Sequence, residues 1–166
     1  RVYDEPIIKP GGDKYMVIEF GNLMDLEINF KAQNLAKAIL DNKIKGIYET
    51  APCFASMLIH YNPEEIKFSD LKNEMKSLIN SLGPTDNIEI NSRIFSFPTV
   101  YLDKWTKECI EDYSSKIAEK TPDPDFIVEL NKLENTDQFV RVHSGTEYWV
   151  SALGFWPGLP FMMPLD

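Results

Sequence analysis

Between Lys14 and Tyr101 the hydrophobic pattern changes period in an ordered series, and that series restricts the fold more than any other feature. Tyr15–Phe20 (YMVIEF) combines apolar, β-branched and aromatic residues as a buried strand does. Ile28, Ala32, Leu35, Ala36, Ile39 and Leu40 then recur at helical spacing, and Gly46 marks the end of that helix. Ile47–Thr50 reads as a short strand, Ala51-Pro52 as a turn, and Ser56–Tyr61 (SMLIHY) as another strand closed by Pro63. Ser69 offers a cap for a second helix carrying Leu71, Met75, Leu78, Ile79 and Leu82, and Gly83-Pro84 stops it. Arg93–Leu102 (RIFSFPTVYL) resumes as a strand, with Pro98 placing part of it at an edge or bulge. The order β-α-β-β-α-β predicts an α+β fold whose N-terminal part, residues 10–101, is ferredoxin-like.

Beyond Asp103 the pattern becomes helical. Trp105, Cys109, Ile110, Tyr113 and Ile117 fall on one face, which places Cys109 in a core, until Thr121-Pro122-Asp123-Pro124 breaks the run. Short helices are expected over Asp125–Asn131 and Thr136–Val142, then a strand over Glu147–Leu153. The chain ends in a proline-punctuated apolar stretch, GFWPGLPFMMPLD.

Charge and cysteine content narrow the partners. Seventeen Lys and Arg stand against 26 Asp and Glu, a net of −9, and no basic cluster tracks a phosphate backbone, so nucleic acid is not expected. The apolar run Tyr148–Leu165 is interrupted by Gly154, Pro157, Gly158, Pro160 and Pro164, so it is not expected to span a membrane. Cys53 and Cys109 form neither a disulfide framework nor a zinc-ligand spacing, and a reducing, cytoplasmic setting fits them. No metal site is expected. Met75-Lys76 lies within a helical pattern and not at a hairpin tip, so it is no biotin-attachment lysine. No Gly-rich loop ending in Gly-Lys-Ser/Thr is present to cradle a nucleotide.

Gly154–Phe161 (GFWPGLPF) is the segment richest in functional signal. Its two glycines permit close backbone approach, while its prolines stiffen the turn between them. Rigid aromatic loops suit pocket walls because ordering them on binding costs little; the same composition also suits a packed crossover between strands. His143 stands where it moves protons or, alternatively, caps a helix end. His60, within a strand, reads as structural, and Cys53 as a turn thiol with no base nearby in sequence.

Several motifs in order give this chain a resemblance to the allophanate hydrolase subunit 1 family. Val142-His143-Ser144 followed by Tyr148–Leu159 (YWVSALGFWPGL) resembles that family's histidine–small pair, tyrosine-bearing strand and Gly-Phe-x-Pro-Gly loop. Gly46–Tyr61 (GIYETAPCFASMLIHY) resembles its Gly-Ile-x-Glu-x-x-Pro element, and Gly12-Asp13 and Glu19-Phe20-Gly21 also match. The family includes the B-type subunit of 5-oxoprolinase, a sporulation-kinase inhibitor of the KipI kind, and the carboxyltransferase domain of urea carboxylase. The chain departs in one respect. About twenty residues from Leu102 precede Asp123-Pro124-Asp125-Phe126, which resembles a Gly-Pro-Asp-Leu helix start, and this insertion is similar to one in urea carboxylase.

The resemblance implies a helical connector over residues 102–145 and, over 146–166, the start of a cyclophilin-like β-barrel continued by further strands or another chain. It implies a subunit, inactive alone, of an ATP-dependent amidohydrolase acting on a lactam or urea-derived amide. His143 and Tyr148 would be its catalytic polar groups; Gly154, Phe155, Pro157, Gly158 and Phe161 would form the substrate-binding wall. A sister subunit of the allophanate hydrolase subunit 2 kind, and a further catalytic subunit, would complete it. ATP would belong to the assembled enzyme, with no cofactor held by this chain alone. The alternatives are a biotin-dependent carboxyltransferase and a binding protein that inhibits a histidine kinase. The apolar side chains from Phe155 to Leu165 would be buried against later strands or the sister subunit.

Overall fold

Six strands and five helices follow in the order β1 (Val2–Pro10), β2 (Tyr15–Gly21), α1 (Leu26–Asn42), β3 (Ile47–Pro52), β4 (Ser56–Tyr61), α2 (Phe68–Leu82), α3 (Lys104–Lys116), α4 (Asp123–Leu130), α5 (Thr136–Gly145), β5 (Val150–Leu153) and β6 (Pro160–Met162) among the described residues. The structure is a computed structural model that describes residues 1–83 and 89–163. Pro84, one half of the expected helix stop, and Pro164 and Leu165 of the apolar tail lie outside the described residues. The chain forms two units: residues 1–92 with 148–166, and residues 93–147.

In the first unit, strand alternation builds a four-stranded antiparallel sheet in the order β1-β2-β4-β3. Met16, Ile18 and Phe20 of β2 and Met57, Ile59 and Tyr61 of β4 all point to one face, as the period of two requires. Ile28, Ala32, Leu35 and Ile39 of α1 and Leu71 and Met75 of α2 close over that face and form the core. A fully buried Ile, Leu or Met of this kind stabilises by about 1.5–3 kcal/mol.

Helix α1 starts where Asp25 accepts a hydrogen bond from the Ile28 amide at 3.1 Å, satisfying one of the free first-turn donors. It ends at Lys43, in the left-handed conformation at φ 49°. Gly46, at φ +84°, turns the chain into β3; a Cβ there would meet Ile66 Cγ2 at 2.8 Å, so only glycine fits. Helix α2 begins after Lys67 with no side-chain cap, and Ser69 bonds Asp70 at 3.2 Å instead of capping. Met75 is fully buried inside α2, and Lys76 is therefore a helical lysine.

The sheet departs from the expected strand order at one edge. Residues 93–102 form no strand and belong to the second unit. β1 takes the edge beside β2 in their place, as the first arm of a hairpin. Phe95, Phe97 and Val100 are exposed, so the β-forming composition of this segment is not matched by burial. The α+β class holds, with the fourth strand supplied from the N-terminal side.

On the opposite face of the sheet, His60 stacks on Tyr15 with ring centroids 4.7 Å apart, and its Nδ1 lies 3.3 Å from Glu49. This is a surface role. A second, two-stranded sheet pairs β5 with β6, Ala152 opposite Phe161 and Leu153 opposite Pro160.

The second unit holds α3, α4 and α5. Asp103 caps α3 twice, accepting from the Thr106 amide at 2.9 Å and the Thr106 hydroxyl at 2.5 Å. Asn135 caps α5 by accepting from the Gln138 amide at 2.9 Å. The helices expected over 125–131 and 136–142 begin and end within a few residues of α4 and α5. The apolar stripe of α3 behaves otherwise. Trp105, Tyr113 and Ile117 are exposed, and Cys109, expected in a core, is an exposed free thiol.

Candidate functional site

The residues singled out in the sequence fall into two groups, one in each unit. In the first unit the organising residue is Asn29, a polar side chain fully buried on the core side of α1. Its Nδ2 donates to the Cys53 carbonyl at 2.8 Å and to the Ser151 carbonyl at 3.1 Å. Its Oδ1 accepts from the Trp149 indole Nε1 at 2.7 Å. One amide thus ties α1, the turn after β3 and the start of β5 together, with both its donor and acceptor ends used. The Trp149 ring also stands edge-on to Phe30, centroids 5.1 Å apart.

Ser151 sits where the β5–β6 register shifts, between the pairs Val150–Met162 and Ala152–Phe161. The extra residue of such a bulge breaks alternation, and Ser151 and Ala152 are buried in succession. The Ser151 Oγ is buried and makes no hydrogen bond among the described residues.

The loop from Gly154 to Phe161 connects β5 to β6. The Gly154 amide donates to the Leu159 carbonyl at 3.2 Å, and the Leu159 amide donates to the Trp156 carbonyl at 3.0 Å. Gly158 adopts φ +81° and Phe155 φ +58°. The second is the costlier, since a side chain with a Cβ resists the left-handed region by about 1–2 kcal/mol. Five expected wall residues therefore share one hairpin, but they do not share one environment. Phe161 packs edge-on against Phe54 at 6.4 Å, and its ring lies 3.6 Å from where a Gly154 Cβ would be. Pro157 and Gly158 are exposed, and Phe155 is 93% exposed. Tyr148 is half-buried in the same unit, just before β5.

In the second unit, His143 lies in the last turn of α5, inside the helix and not after it. Its Nδ1 is 2.6 Å from the Tyr101 hydroxyl. Phe139, one turn earlier on α5, is 5.7 Å from the His143 ring and 6.3 Å from the Tyr101 ring, forming an apolar side to the pair. His143 and Tyr148, five residues apart in sequence, belong to different units.

Sequence reasoning misses Asn29, Trp149, Ser151 and Tyr101. A signal for Asn29 is present: an amide beside Ile28 and three residues before Ala32 stands on an apolar helix face. Tyr101 carries no signal, because its composition places it in a strand that does not form. Among the described residues no group of His, Cys, Asp and Glu could hold a metal ion, and no helix is long and apolar enough to cross a membrane.

Comparison with known proteins converges on one family. The family described as the carboxyltransferase domain, subdomains C and D, matches residues 6–166. A urea amidolyase of Lachancea kluyveri is 30% identical over 164 residues, covering 95% of this chain and 9% of that protein. The B-type subunit of 5-oxoprolinase from Bacillus subtilis (strain 168) is 25% identical over 161 residues, covering 91% of this chain and 60% of that protein. The fold matches the crystal structure of the Kluyveromyces lactis urea carboxylase with a TM-score of 0.77 and 22% identity, over 93% of this chain and 15% of that one. The chain thus spans about a tenth of the urea amidolyases it matches and three-fifths of the oxoprolinase subunit. The resemblance read from the Gly46–Tyr61 and Tyr148–Leu159 motifs is borne out, and the chain belongs to the family of carboxyltransferase domains, subdomains C and D.

Proposed function

We propose that this chain acts as part of a subunit of an ATP-dependent amidohydrolase that opens a lactam or cleaves a urea-derived amide. The observation that carries the reading is the similarity to the B-type subunit of 5-oxoprolinase over 91% of this chain. The strained Phe155 backbone in a hairpin anchored through Ser151 and Asn29 supports a functional loop, since such strain persists where surrounding structure enforces it. In this reading His143 donates a proton, Tyr148 supplies a polar contact, and Gly154, Phe155, Pro157, Gly158 and Phe161 form a wall against substrate. A sister subunit of the allophanate hydrolase subunit 2 kind covers the exposed Phe155 and Trp156, and a further catalytic subunit completes the enzyme. β5 and β6 are the opening strands of a cyclophilin-like barrel, and the assembly is cytoplasmic.

The ATP is not assigned to this chain. Its Gly11–Gly12 turn joins the two strands of the β1–β2 hairpin, whereas a phosphate cradle leads from a strand into a helix, so these residues do not fit the nucleotide.

A carboxyltransferase role is the second reading. The urea amidolyase similarity favours it, as does the presence of α3 in the segment where the sequence resembles urea carboxylase. Biotin would then come on another domain or chain, because Lys76 lies within α2 and the residues here do not form an attachment hairpin.

The test is reconstitution of the full-length protein with its sister and catalytic subunits, assayed with 5-oxoproline and ATP. The expected result is ATP-dependent ring opening by the assembly and none by the single protein. In the assembly, His143→Asn should lower turnover at least about tenfold, a floor set below the roughly 100-fold that a positioned acid–base group ordinarily contributes. Turnover by the single protein, or an unaffected variant, would contradict the reading.

A further inference from the structure

The turn between β3 and β4 and the β5–β6 hairpin lie far apart in sequence and meet at two places within the first unit. Asn29 joins them through their main chains, with its Nδ2 bonds to the Cys53 and Ser151 carbonyls. Phe54 and Phe161 join them through their side chains, edge-on, with centroids 6.4 Å apart. The turn is held from its other sides as well. The Cys53 amide donates to the Ser56 carbonyl and the Phe20 amide to the Ala55 carbonyl, each at 2.8 Å. Such turns are ordinarily built from glycine, proline, asparagine, aspartate or serine, whose properties serve the backbone. An aromatic ring in the middle of the turn meets no need of that kind. It does not serve the main core either: Ala55 packs there, whereas Phe54 turns to Phe161 and stays half-buried.

We propose that Phe54 is a specificity-determining residue of the amide site, forming with Phe161 an apolar corner that packs on the hydrocarbon part of the substrate. This deepens the amidohydrolase reading and rests on it. The wall residues assigned under that reading all come from one hairpin, and one hairpin covers a small molecule from one side only. A site that buries most of its ligand needs a second side, and Phe54 supplies it from a different part of the chain. A side chain carried on so fixed a turn is already ordered when a ligand arrives. Two phenyl rings offer no conventional hydrogen bond, so the corner sorts substrates by apolar bulk and leaves the amide itself to polar groups. Contact with a hydrocarbon edge is the same before and after the carbonyl is attacked. Its loss therefore shows in KM and not in kcat.

The experiment compares Phe54→Ala and Phe54→Leu in the full-length protein, reconstituted with its sister and catalytic subunits and assayed with 5-oxoproline and ATP. Phe54→Ala should raise the KM for 5-oxoproline about tenfold with kcat little changed, the low end for a lost apolar contact in a substrate pocket. Phe54→Leu, which keeps apolar bulk in the turn, should raise it less. The KM for ATP should stay where it is in both. Ring opening with an unmoved 5-oxoproline KM in both variants overturns the proposal. A fall in kcat and melting temperature with that KM unmoved also overturns it, and makes Phe54 a packing residue. A wild-type assembly that opens no ring removes the amidohydrolase reading, and this assignment with it. If Phe54→Ala does not fold, the KM of Phe54→Leu alone decides.

Discussion

Asn29 and Trp149, separated by 120 positions in sequence, are joined by an indole N–H donated to the Asn29 Oδ1 at 2.7 Å. That bond, with the two that Asn29 donates to Cys53 and Ser151, fastens the segment carrying the family's glycine–proline loop to the helix over the main core. The loop is irregular and exposed, and so gains little stability of its own. Its placement depends on a buried amide.

Asn29→Leu should therefore destabilise the protein by about 2–4 kcal/mol, since a buried indole donor and two carbonyls lose their partner. Asn29→Asp should do at least as much, because it loses both donations and sets a carboxylate against two carbonyls. Denaturant unfolding followed by tryptophan fluorescence would report both. A loss below about 0.5 kcal/mol for either would mean that the loop is held elsewhere.

Ser151→Ala should behave oppositely. Its hydroxyl is buried and makes no hydrogen bond among the described residues, so removing it should be neutral or stabilising by up to about 1 kcal/mol. The same unfolding measurement checks it. A loss of about 2 kcal/mol or more would reveal a partner for the hydroxyl in the native assembly.

Much of this architecture is legible in the sequence, and the exceptions have physical causes. β2, β4, α1 and α2 each bury one face, so their apolar residues keep a clean period. β1 (VYDEPIIKP) buries only Ile8, lies at the sheet edge and is broken in register before Ile7, so it leaves no alternating signal. Residues 93–102 have strand composition without a strand, because composition does not say whether an edge is available, and β1 already holds it. The loop is legible through glycine and proline, whose backbone limits are local. Asn29 shows only as an amide on an apolar helix face, while its pairings with Ser151 and Trp149, and that of Tyr101 with His143, join residues far apart in sequence and leave no local trace.

The cap of α3 should depend on pH. The Thr106 hydroxyl and amide, in that order, hold the Asp103 carboxyl below its ordinary value by bonding its charged form. A depressed folded-state pKa gives stability that is present above the unfolded value, about 3.9, and lost as pH falls through the folded one. The Thr106 amide resonance should therefore titrate below the ordinary carboxylate range, and Asp103→Ala should abolish that titration and fray the first turn of α3. A Thr106 amide indifferent to pH down to the acid limit of folding would contradict the cap.

The most direct test of the central claim measures ring-opened product and ADP formed by the reconstituted enzyme, with bicarbonate withheld and avidin added. An ATP-dependent amidohydrolase needs neither carboxylated biotin nor bicarbonate, so product and ADP should form together at an unchanged rate. Loss of turnover on adding avidin or withdrawing bicarbonate would contradict the amidohydrolase assignment and establish the carboxyltransferase in its place.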